Sequence, residues 1–106
     1  MGHASKIYRV ESVSLSFDRM LPTRMVVKAK GITSTPDWSG AKLIPYVYVS
    51  PPADGIQECD FVASPPTDPV PAVLTPVDAA AHIEAVPEWV VGVRVYAAAN
   101  RVVERI

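Results

Sequence analysis

Apolar and polar residues alternate over most of the chain, which is the pattern of β-strands that bury one face and expose the other. The first run covers residues 6–17, and the second covers residues 24–32, where Lys28 and Lys30 mark the solvent side. The apolar face of the first run consists of Ile7, Val13, Leu15 and Phe17. In this register Val10 belongs to the opposite face, so we expect its side chain to point away from the core.

Two further runs predict a long antiparallel hairpin around a stiff turn at residues 51–55. Residues 42–50 carry apolar side chains on both faces. We therefore expect this strand to be covered on both sides, or to present Tyr46 and Tyr48 to a partner, a ligand or a covering loop. Residues 56–63 form the returning strand. Its inward-facing residues are Cys59, Phe61 and Ala63.

The second half of the chain contains one ambiguous segment. Residues 64–71 hold four prolines and predict an extended loop that covers an edge or crosses between sheets. Residues 75–85 begin with Thr75 and Pro76, which is typical of a helix start, yet their apolar positions alternate as in a strand. We favour the strand, because a chain of strands most easily adds another. Residues 89–98 are predicted to form a strand. One of its faces holds Trp89, Val91, Val93, Val95 and Ala97.

These elements predict one all-β domain over residues 1–106. The expected architecture is a single antiparallel β-sandwich of about six or seven strands with an immunoglobulin-like appearance, and a small barrel is the rival. The composition is that of a globular protein, since 49% of the residues are hydrophobic and 20% are charged. Residues 1–5 are expected to be disordered or derived from an expression vector.

The charge balance restricts the expected partners. A net charge of −1 provides no field that would attract nucleic acid or an anionic membrane surface, so neither is expected as a partner. No segment approaches the roughly 18 consecutive apolar residues of a membrane span. The single cysteine cannot form an internal disulfide. We expect a soluble cytoplasmic protein, although a removed signal sequence would leave no trace in this chain.

Few residues suggest chemistry, and no catalytic, metal-binding or cofactor-binding residue is assigned. The chain lacks a phosphate-binding glycine loop and a nucleophile elbow, and one cysteine with His82 is too few ligands for zinc. Cys59 is interpreted as a core thiol. The alternative function is a small hydrolase-type enzyme that uses His82 or the carboxylates of Asp54, Glu58 and Asp60. Solvent exposure is the more common outcome for such acidic residues.

The aromatic residues are the strongest candidates for contact with a ligand or partner. Tyrosine and tryptophan are enriched at interfaces because they combine a large apolar area with a polar tip. The candidates are Trp38, Tyr46, Tyr48, Trp89 and Tyr96. In the competing interpretation, Trp38 and Trp89 close the open ends of the sandwich; in a third, Trp38 lines a small-molecule pocket for an unknown ligand. The favoured function is a non-enzymatic binding module with a protein partner or a second copy of itself.

Three segments, TPDWSG, LIPYVYVSPPADGIQECDFVA and WVVGVRVYAAAN, resemble a family of short uncharacterised bacterial proteins. That family shares a TPGWS-like turn, a PPADGI turn before a strand and a GVRV-type last strand. The likeness covers about residues 24–100, and Asp37 stands where the family has glycine. The resemblance implies a bacterial protein with a compact β-fold and implies no particular activity.

Overall fold

The computed structural model describes residues 4–106, and within this range it contains two β-sheets and no helix. The all-β prediction and the two-sheet sandwich are therefore confirmed. The described chain forms eight strands, which are β1 (Ser5–Lys6), β2 (Arg9–Asp18), β3 (Arg24–Thr33), β4 (Ser39–Pro45), β5 (Ile56–Ser64), β6 (Thr75–Ile83), β7 (Gly92–Tyr96) and β8 (Arg101–Arg105).

Sheet A contains β4, β5, β7 and β8 in that order. Strand β1 lies on the same side of β5 as β7 and pairs with Val62 and Ala63, after the residues that pair with β7. Sheet B has the order β2, β3, β6. The edges of the two sheets approach each other, since β4 lies beside β6 and β8 lies beside β2. The prediction for residues 1–5 falls partly outside the described chain, which begins at residue 4; Ser5 pairs with Ala63 in β1.

Sheet A is not entirely antiparallel, so that part of the prediction was wrong. Strands β5 and β7 run parallel, from the pair Ile56 and Gly92 to the pair Asp60 and Tyr96. The reason is the connection between them: after β5 the chain crosses to sheet B, forms β6 and returns to sheet A. A parallel pair requires a crossover of this kind. The proline-rich segment after β5 is the crossing between sheets, which was one of its two predicted roles.

The core lies between the sheets and is built from alternate residues of each strand. Its buried side chains include Ile7, Val10, Val13, Met25, Val27, Ala29, Leu43, Cys59, Phe61, Ala63, Val93 and Val95. Val10 was predicted to point outward, and this was wrong because the pairing of β2 with β3 shifts between Val10 and Ser12. The extra residue, Glu11, reverses the alternation, so that Val10 and Val13 both face inward.

Two predicted strands are shorter than expected. β4 ends at Pro45, and the predicted strand over residues 42–50 was wrong beyond it: the side chains of Val47 and Val49 are 97% and 108% exposed. Beyond Pro45 the Tyr46 N–H still donates to the Glu58 carbonyl at 2.8 Å, and the chain then leaves the ladder. β7 begins only at Gly92, so Trp89 precedes the strand, and Val91 is exposed. Residues 75–83 form a strand, as favoured, whereas β8 had not been predicted.

A side-chain amide joins the two sheets at the turn between β7 and β8. The Asn100 side chain accepts a hydrogen bond from the Val10 N–H at 2.8 Å and donates one to the Val10 carbonyl at 2.9 Å. The backbone N–H groups of Ala98 and Ala99 donate to the carbonyls of Ile7 and Tyr8. This turn therefore holds the start of β2 against the end of sheet A.

Candidate functional site

The candidate site is the outer face of sheet A, which no other element of residues 4–106 covers with a sheet or helix. Because side chains alternate along each strand, every second residue of β4, β5, β7 and β8 points to this side. We call it the tyrosine face. It consists of Ile44, Tyr46, Tyr48, Glu58, Asp60, Arg94, Tyr96, Arg101, Val103 and Arg105. Ile44 of β4 is 43% exposed and Val103 of β8 is 39% exposed, which shows that both edges of this face reach solvent.

Two carboxylates of β5 hold three tyrosines in place. Glu58 accepts hydrogen bonds from the Tyr48 hydroxyl at 3.0 Å and from the Tyr96 hydroxyl at 2.5 Å, one on each carboxylate oxygen. Asp60 accepts a hydrogen bond from the Tyr46 hydroxyl at 2.8 Å. Hydrogen bonds to an ionised acceptor are stronger than neutral ones, so these side chains are fixed before any partner arrives.

The Tyr48 side chain remains bonded to β5 although strand β4 ends at Pro45. The Tyr48 hydroxyl accepts a hydrogen bond from the Glu58 backbone N–H at 2.8 Å, where a neighbouring strand would offer a carbonyl. The side-chain amide of Gln57 donates to the Tyr46 carbonyl at 3.0 Å. The Tyr46 N–H still donates to the Glu58 carbonyl at 2.8 Å, and these side chains satisfy the Tyr46 carbonyl and the Glu58 N–H in place of a further strand.

Arg94 of β7 connects the acidic groups to one another. Its guanidinium lies 3.2 Å from an oxygen of Asp54 and 3.6 Å from an oxygen of Glu58, and it donates to the Tyr96 hydroxyl at 3.5 Å. Arg94 and Glu58 are adjacent in the parallel register. On the other side, the Lys6 ammonium lies 3.9 Å from Asp60 and 5.7 Å from the centre of the Tyr96 ring. The face is thus a connected polar network with aromatic rings at its surface.

The network keeps the tyrosine hydroxyls protonated. The hydrogen bond to Asp60, together with burial, raises the pKa of Tyr46 to about 12. Burial, with the hydrogen bond to the Glu58 side chain, raises the pKa of Tyr48 to about 12. The hydrogen bond to Glu58 also raises the pKa of Tyr96. The three hydroxyls therefore act as donors throughout the physiological pH range.

The ends of the network have shifted pKa values as well. The backbone N–H of Ile56 and the Arg94 guanidinium lower the pKa of Asp54. Hydrogen bonds to Tyr96 and Asp54 raise the pKa of Arg94. The charges at this end of the face are therefore permanent at neutral pH.

The aromatic rings form two pairs. Tyr46 and Tyr96 are stacked with their centroids 6.0 Å apart, and Tyr48 meets Trp89 edge to face at 5.7 Å. Gly55 lies close to the backbone that carries Trp89: its φ is 71°, and a Cβ there would lie 2.9 Å from the Trp89 carbonyl oxygen. An open cleft of about 430 Å³ lies beside the pair of Tyr48 and Trp89. The structure thus brings together four of the five predicted contact residues.

The fifth predicted contact residue, Trp38, lies elsewhere, in the loop between β3 and β4. Its indole N–H donates to the Thr35 hydroxyl at 2.9 Å, and its ring packs against the core. The preceding Asp37 has a φ of 67°, a left-handed conformation that glycine adopts most readily. Trp38 therefore fastens its own loop and does not join the tyrosine face.

The residues of the alternative hydrolase prediction do not converge. His82 is exposed on the outer face of sheet B, and Val26 separates it from Ser16 in the register of that sheet. Strands are spaced about 4.8 Å apart, which places the two backbones roughly 10 Å from each other. Cys59 is fully buried, and burial raises its pKa to about 12, in agreement with its interpretation as a core thiol.

The three acidic candidates face Arg94 and the tyrosine hydroxyls, as described above. Among residues 4–106 no group of three or more histidine, cysteine, aspartate or glutamate side chains is arranged to hold a metal ion. Sequence reasoning had placed Arg94 and Tyr96 on the same strand face but had not identified Arg94 as part of the site. The missing information was the parallel register, which sets Arg94 beside Glu58.

Comparison of the chain with protein-family models, with curated proteins and with solved structures finds no match. Within the described range there is also no helix with the length and apolar character that a membrane crossing requires. The chemistry of the tyrosine face is consequently the basis on which a function is inferred.

Proposed function

We propose that this protein is a non-enzymatic binding module that contacts another protein chain through the tyrosine face. The observation that carries the proposal is the set of three tyrosines on an open sheet face, each hydrogen-bonded to a carboxylate of β5. The exposed ring of Tyr46 and its stacking partner Tyr96 supply apolar contact area in the middle of this polar network.

Prior ordering of these side chains favours binding. Fixing a side chain with several rotamers at an interface costs about 0.5–1.5 kcal/mol. Tyr46, Tyr48 and Tyr96 are already held by hydrogen bonds, so this cost is largely met by the fold. Arginine and tyrosine are also the residue types that dominate binding energy at protein interfaces. The face offers Arg94 at its centre and Arg101 and Arg105 at its edge.

The proposal includes an immunoglobulin-like fold, a bacterial origin and a cytoplasmic location. Two packed sheets with a crossing between them support the immunoglobulin-like assignment. The resemblance of the TPDWSG and PPADGI segments to bacterial proteins supports the origin, and the single buried cysteine is compatible with a reducing compartment.

The test compares a variant of the tyrosine face with a matched variant of the other sheet. Tyr46→Ser with Tyr96→Ser removes the stacked pair, and Lys28→Ser with Lys30→Ser changes the outer face of sheet B. Each full-length protein is immobilised at equal density, and binding of proteins from a cell extract is quantified after circular dichroism has confirmed folding. We expect a partner that the wild type and the lysine variant retain, and that the tyrosine variant loses by at least about tenfold. Equal retention by all three proteins would exclude the tyrosine face as the binding surface.

A second candidate function is hydrolysis by His82 or by the carboxylates of Asp54, Glu58 and Asp60. The observation in its favour is an open cleft of about 360 Å³ next to His82, which Asp18 and Glu84 also line. A panel of ester, peptide and phosphate substrates tests this candidate against the His82→Ala and Glu58→Gln variants. Turnover by the wild type that either variant abolishes would favour an enzyme over a binding module.

A further inference from the structure

We propose that the chain bound by the tyrosine face is a second copy of this protein. The two copies pack face to face about a two-fold axis that runs along the strands, between β5 and β7. This inference rests on the proposed function and adds the identity of the partner and the geometry of the complex.

The first step is the order of chemical character across the face. At the levels of Glu58 and Asp60 of β5, β4 and the residues after it contribute apolar and aromatic side chains, and the exposed Lys42 lies one step further out on β4. Next, β7 contributes Arg94 with Tyr96, and β8 contributes basic and apolar side chains. The β8 residues are Arg101, Val103 and Arg105. One half of the face is therefore acidic and aromatic, and the other half is basic.

The second step is the symmetry that such a face allows. Two identical surfaces pack face to face about a two-fold axis that lies in the plane between them. An axis along the strands exchanges β5 with β7 and β4 with β8, and it keeps each residue at its own level along the strand. Glu58 then lies opposite the second copy's Arg94, because the two residues share one level in the register of β5 and β7.

The same rotation places β4 of one copy opposite β8 of the other. Tyr46 follows β4 and lies beside Glu58 of β5. Val103 of β8 pairs with Arg94, which is at the same position along the strands. The Tyr46 ring therefore faces Val103 of the second copy.

The other face-to-face arrangement is disfavoured by charge. An axis across the strands would place β5 on β5, and Glu58 and Asp60 would meet the acidic strand of the second copy. It would also place the basic strand β8 on itself, with Arg101 and Arg105 facing like charges. Juxtaposed like charges repel each other and select against a wrong arrangement. Only the axis along the strands brings opposite charges together.

Two arginines of this face have charges that the monomer does not neutralise. Arg101 and Arg105 are exposed and form no ion pair with any residue of the described chain, in contrast to Arg94. In the dimer β8 lies over β4 of the second copy, and Asp60 of the second copy is on the neighbouring strand β5. Arg101 and this Asp60 are at the same position along the strands. Dimerisation therefore provides the acidic neighbour that Arg101 lacks.

The size of the face sets the expected strength. Four strands about 4.8 Å apart and five residues long cover an area of roughly 20 by 17 Å. Two such faces, with their side chains, bury on the order of 1,000 Å², which is at the lower limit of specific interfaces. We therefore expect a weak, reversible dimer that depends on salt, because several of its contacts are between charges.

The first experiment is sedimentation equilibrium of the full chain at concentrations up to about 1 mM. Arg101→Glu with Arg105→Glu reverses the charge of β8, and the matched control Lys28→Glu with Lys30→Glu makes the same change in net charge on sheet B. We expect the wild type and the control to dimerise, and the β8 variant to dimerise at least about tenfold more weakly. A monomeric wild type at every concentration, or equal association of the two variants, would overturn the proposal.

The second experiment identifies the axis. In Arg94→Glu and in Glu58→Arg the two facing positions carry like charges, so each variant alone should remain monomeric. In a mixture of the two, position 58 of one chain meets the opposite charge at position 94 of the other, and a heterodimer should form. Folding of each variant is checked by circular dichroism. Failure of the mixture to associate, with both variants folded and the wild type dimeric, would exclude this axis.

These outcomes separate the inference from the function on which it rests. In one outcome the wild type is monomeric but binds another protein, and the Tyr46→Ser, Tyr96→Ser variant loses that binding. This result excludes a second copy as the partner and supports the tyrosine face as the binding surface. A dimer that persists unchanged in the Tyr46→Ser, Tyr96→Ser variant excludes the face itself, and the proposed function fails with it.

Discussion

The outer faces of the two sheets differ in chemistry. On sheet A, tyrosines, carboxylates and an arginine form a hydrogen-bonded network. On sheet B the corresponding positions hold short side chains, two lysines, an aspartate and a histidine. These are Ser12, Ser14, Ser16, Val26, Lys28, Lys30, Asp78, Ala80 and His82. None of these nine side chains hydrogen-bonds or forms an ion pair with another of them in the described chain.

This difference supports the outer face of sheet A as the proposed contact surface. A solvent-facing sheet needs only polar residues that resist aggregation, and the lysines and serines of sheet B meet that requirement. Sheet A carries large rings whose hydroxyls are all engaged, which solubility alone does not require. Replacements on sheet A should therefore affect stability and association, whereas matched replacements on sheet B should affect neither.

The largest effect on stability is expected from Glu58→Ala. The change removes the acceptor of the Tyr48 and Tyr96 hydroxyls and the charge beside Arg94, so the free energy of unfolding should fall by about 2–3 kcal/mol. Asp78→Ala, the matched change on sheet B, should alter it by less than about 0.5 kcal/mol. Urea denaturation followed by circular dichroism measures both. Equal losses would show that the two faces do not differ in the proposed way.

A smaller loss is expected from Tyr96→Phe, which deletes one hydroxyl and keeps the ring. The hydrogen bond to Glu58 should contribute about 1–1.5 kcal/mol. Tyr8→Phe is the control, because Tyr8 is also exposed and its hydroxyl has no hydrogen-bond partner in residues 4–106. The same denaturation measurement applies. A Tyr8 variant that loses as much stability as the Tyr96 variant would contradict the prediction.

Alkaline pH should lower the free energy of unfolding by a smaller amount, because it ionises the hydroxyls of the tyrosine face. The pKa values of Tyr46 and Tyr48 are about 12 in the folded protein, above the ordinary value of 10.0. A raised pKa means that the folded state holds the proton more tightly, so the contribution is complete below pH 10 and is lost as pH rises toward 12. The loss is moderated by solvent, since Tyr46 is 37% exposed.

The measurement is the unfolding free energy between neutral pH and the alkaline limit of folding, together with the ultraviolet absorbance of tyrosinate. The matched protein carries Tyr46→Phe and Tyr48→Phe, and its stability should vary less over the same range. If the two proteins show the same decline, the tyrosine hydroxyls do not cause it.

The smallest effect concerns the loop that connects sheet B to sheet A. Asp37 has a φ of 67°, so Asp37→Gly should relieve backbone strain and raise the unfolding free energy by about 0.5–1 kcal/mol. Ser39→Gly, at a position without a positive φ, should lower it. Thermal unfolding compares the two variants. A destabilised Asp37→Gly protein would mean that the aspartate side chain contributes more than its backbone strain costs.

The sequence predicted the elements whose patterns are local. The alternation of residues 24–32 and 56–63 identified β3 and β5, and the inward positions of Met25 and Phe61 follow from it. The tyrosines were recognised as contact candidates because residue type alone suggests that role. The prediction extended the strand over residues 42–50, beyond Pro45, where β4 ends.

What the sequence could not supply was the pairing of distant strands. Nothing local shows that β7 lies parallel to β5, and hence that Arg94 meets Glu58. The bulge at Glu11 was also hidden, because one extra residue in a ladder depends on the partner strand. The role of Asn100 was not predicted either: its amide binds Val10 across 90 positions of the chain. Each omission concerns a contact between residues far apart in sequence.

The parallel pairing of β5 and β7 has a consequence for the order of folding. The β4–β5 hairpin closes over residues 46–55, whereas β7 can join β5 only after the intervening chain has visited sheet B and returned. Contacts between distant residues form slowly because the loop must close first. During synthesis, the growing sheet therefore exposes the edge of β5 until β7 emerges. Glu58 and Asp60, hydrated and charged in that interval, would keep the unfinished edge from pairing with other nascent chains.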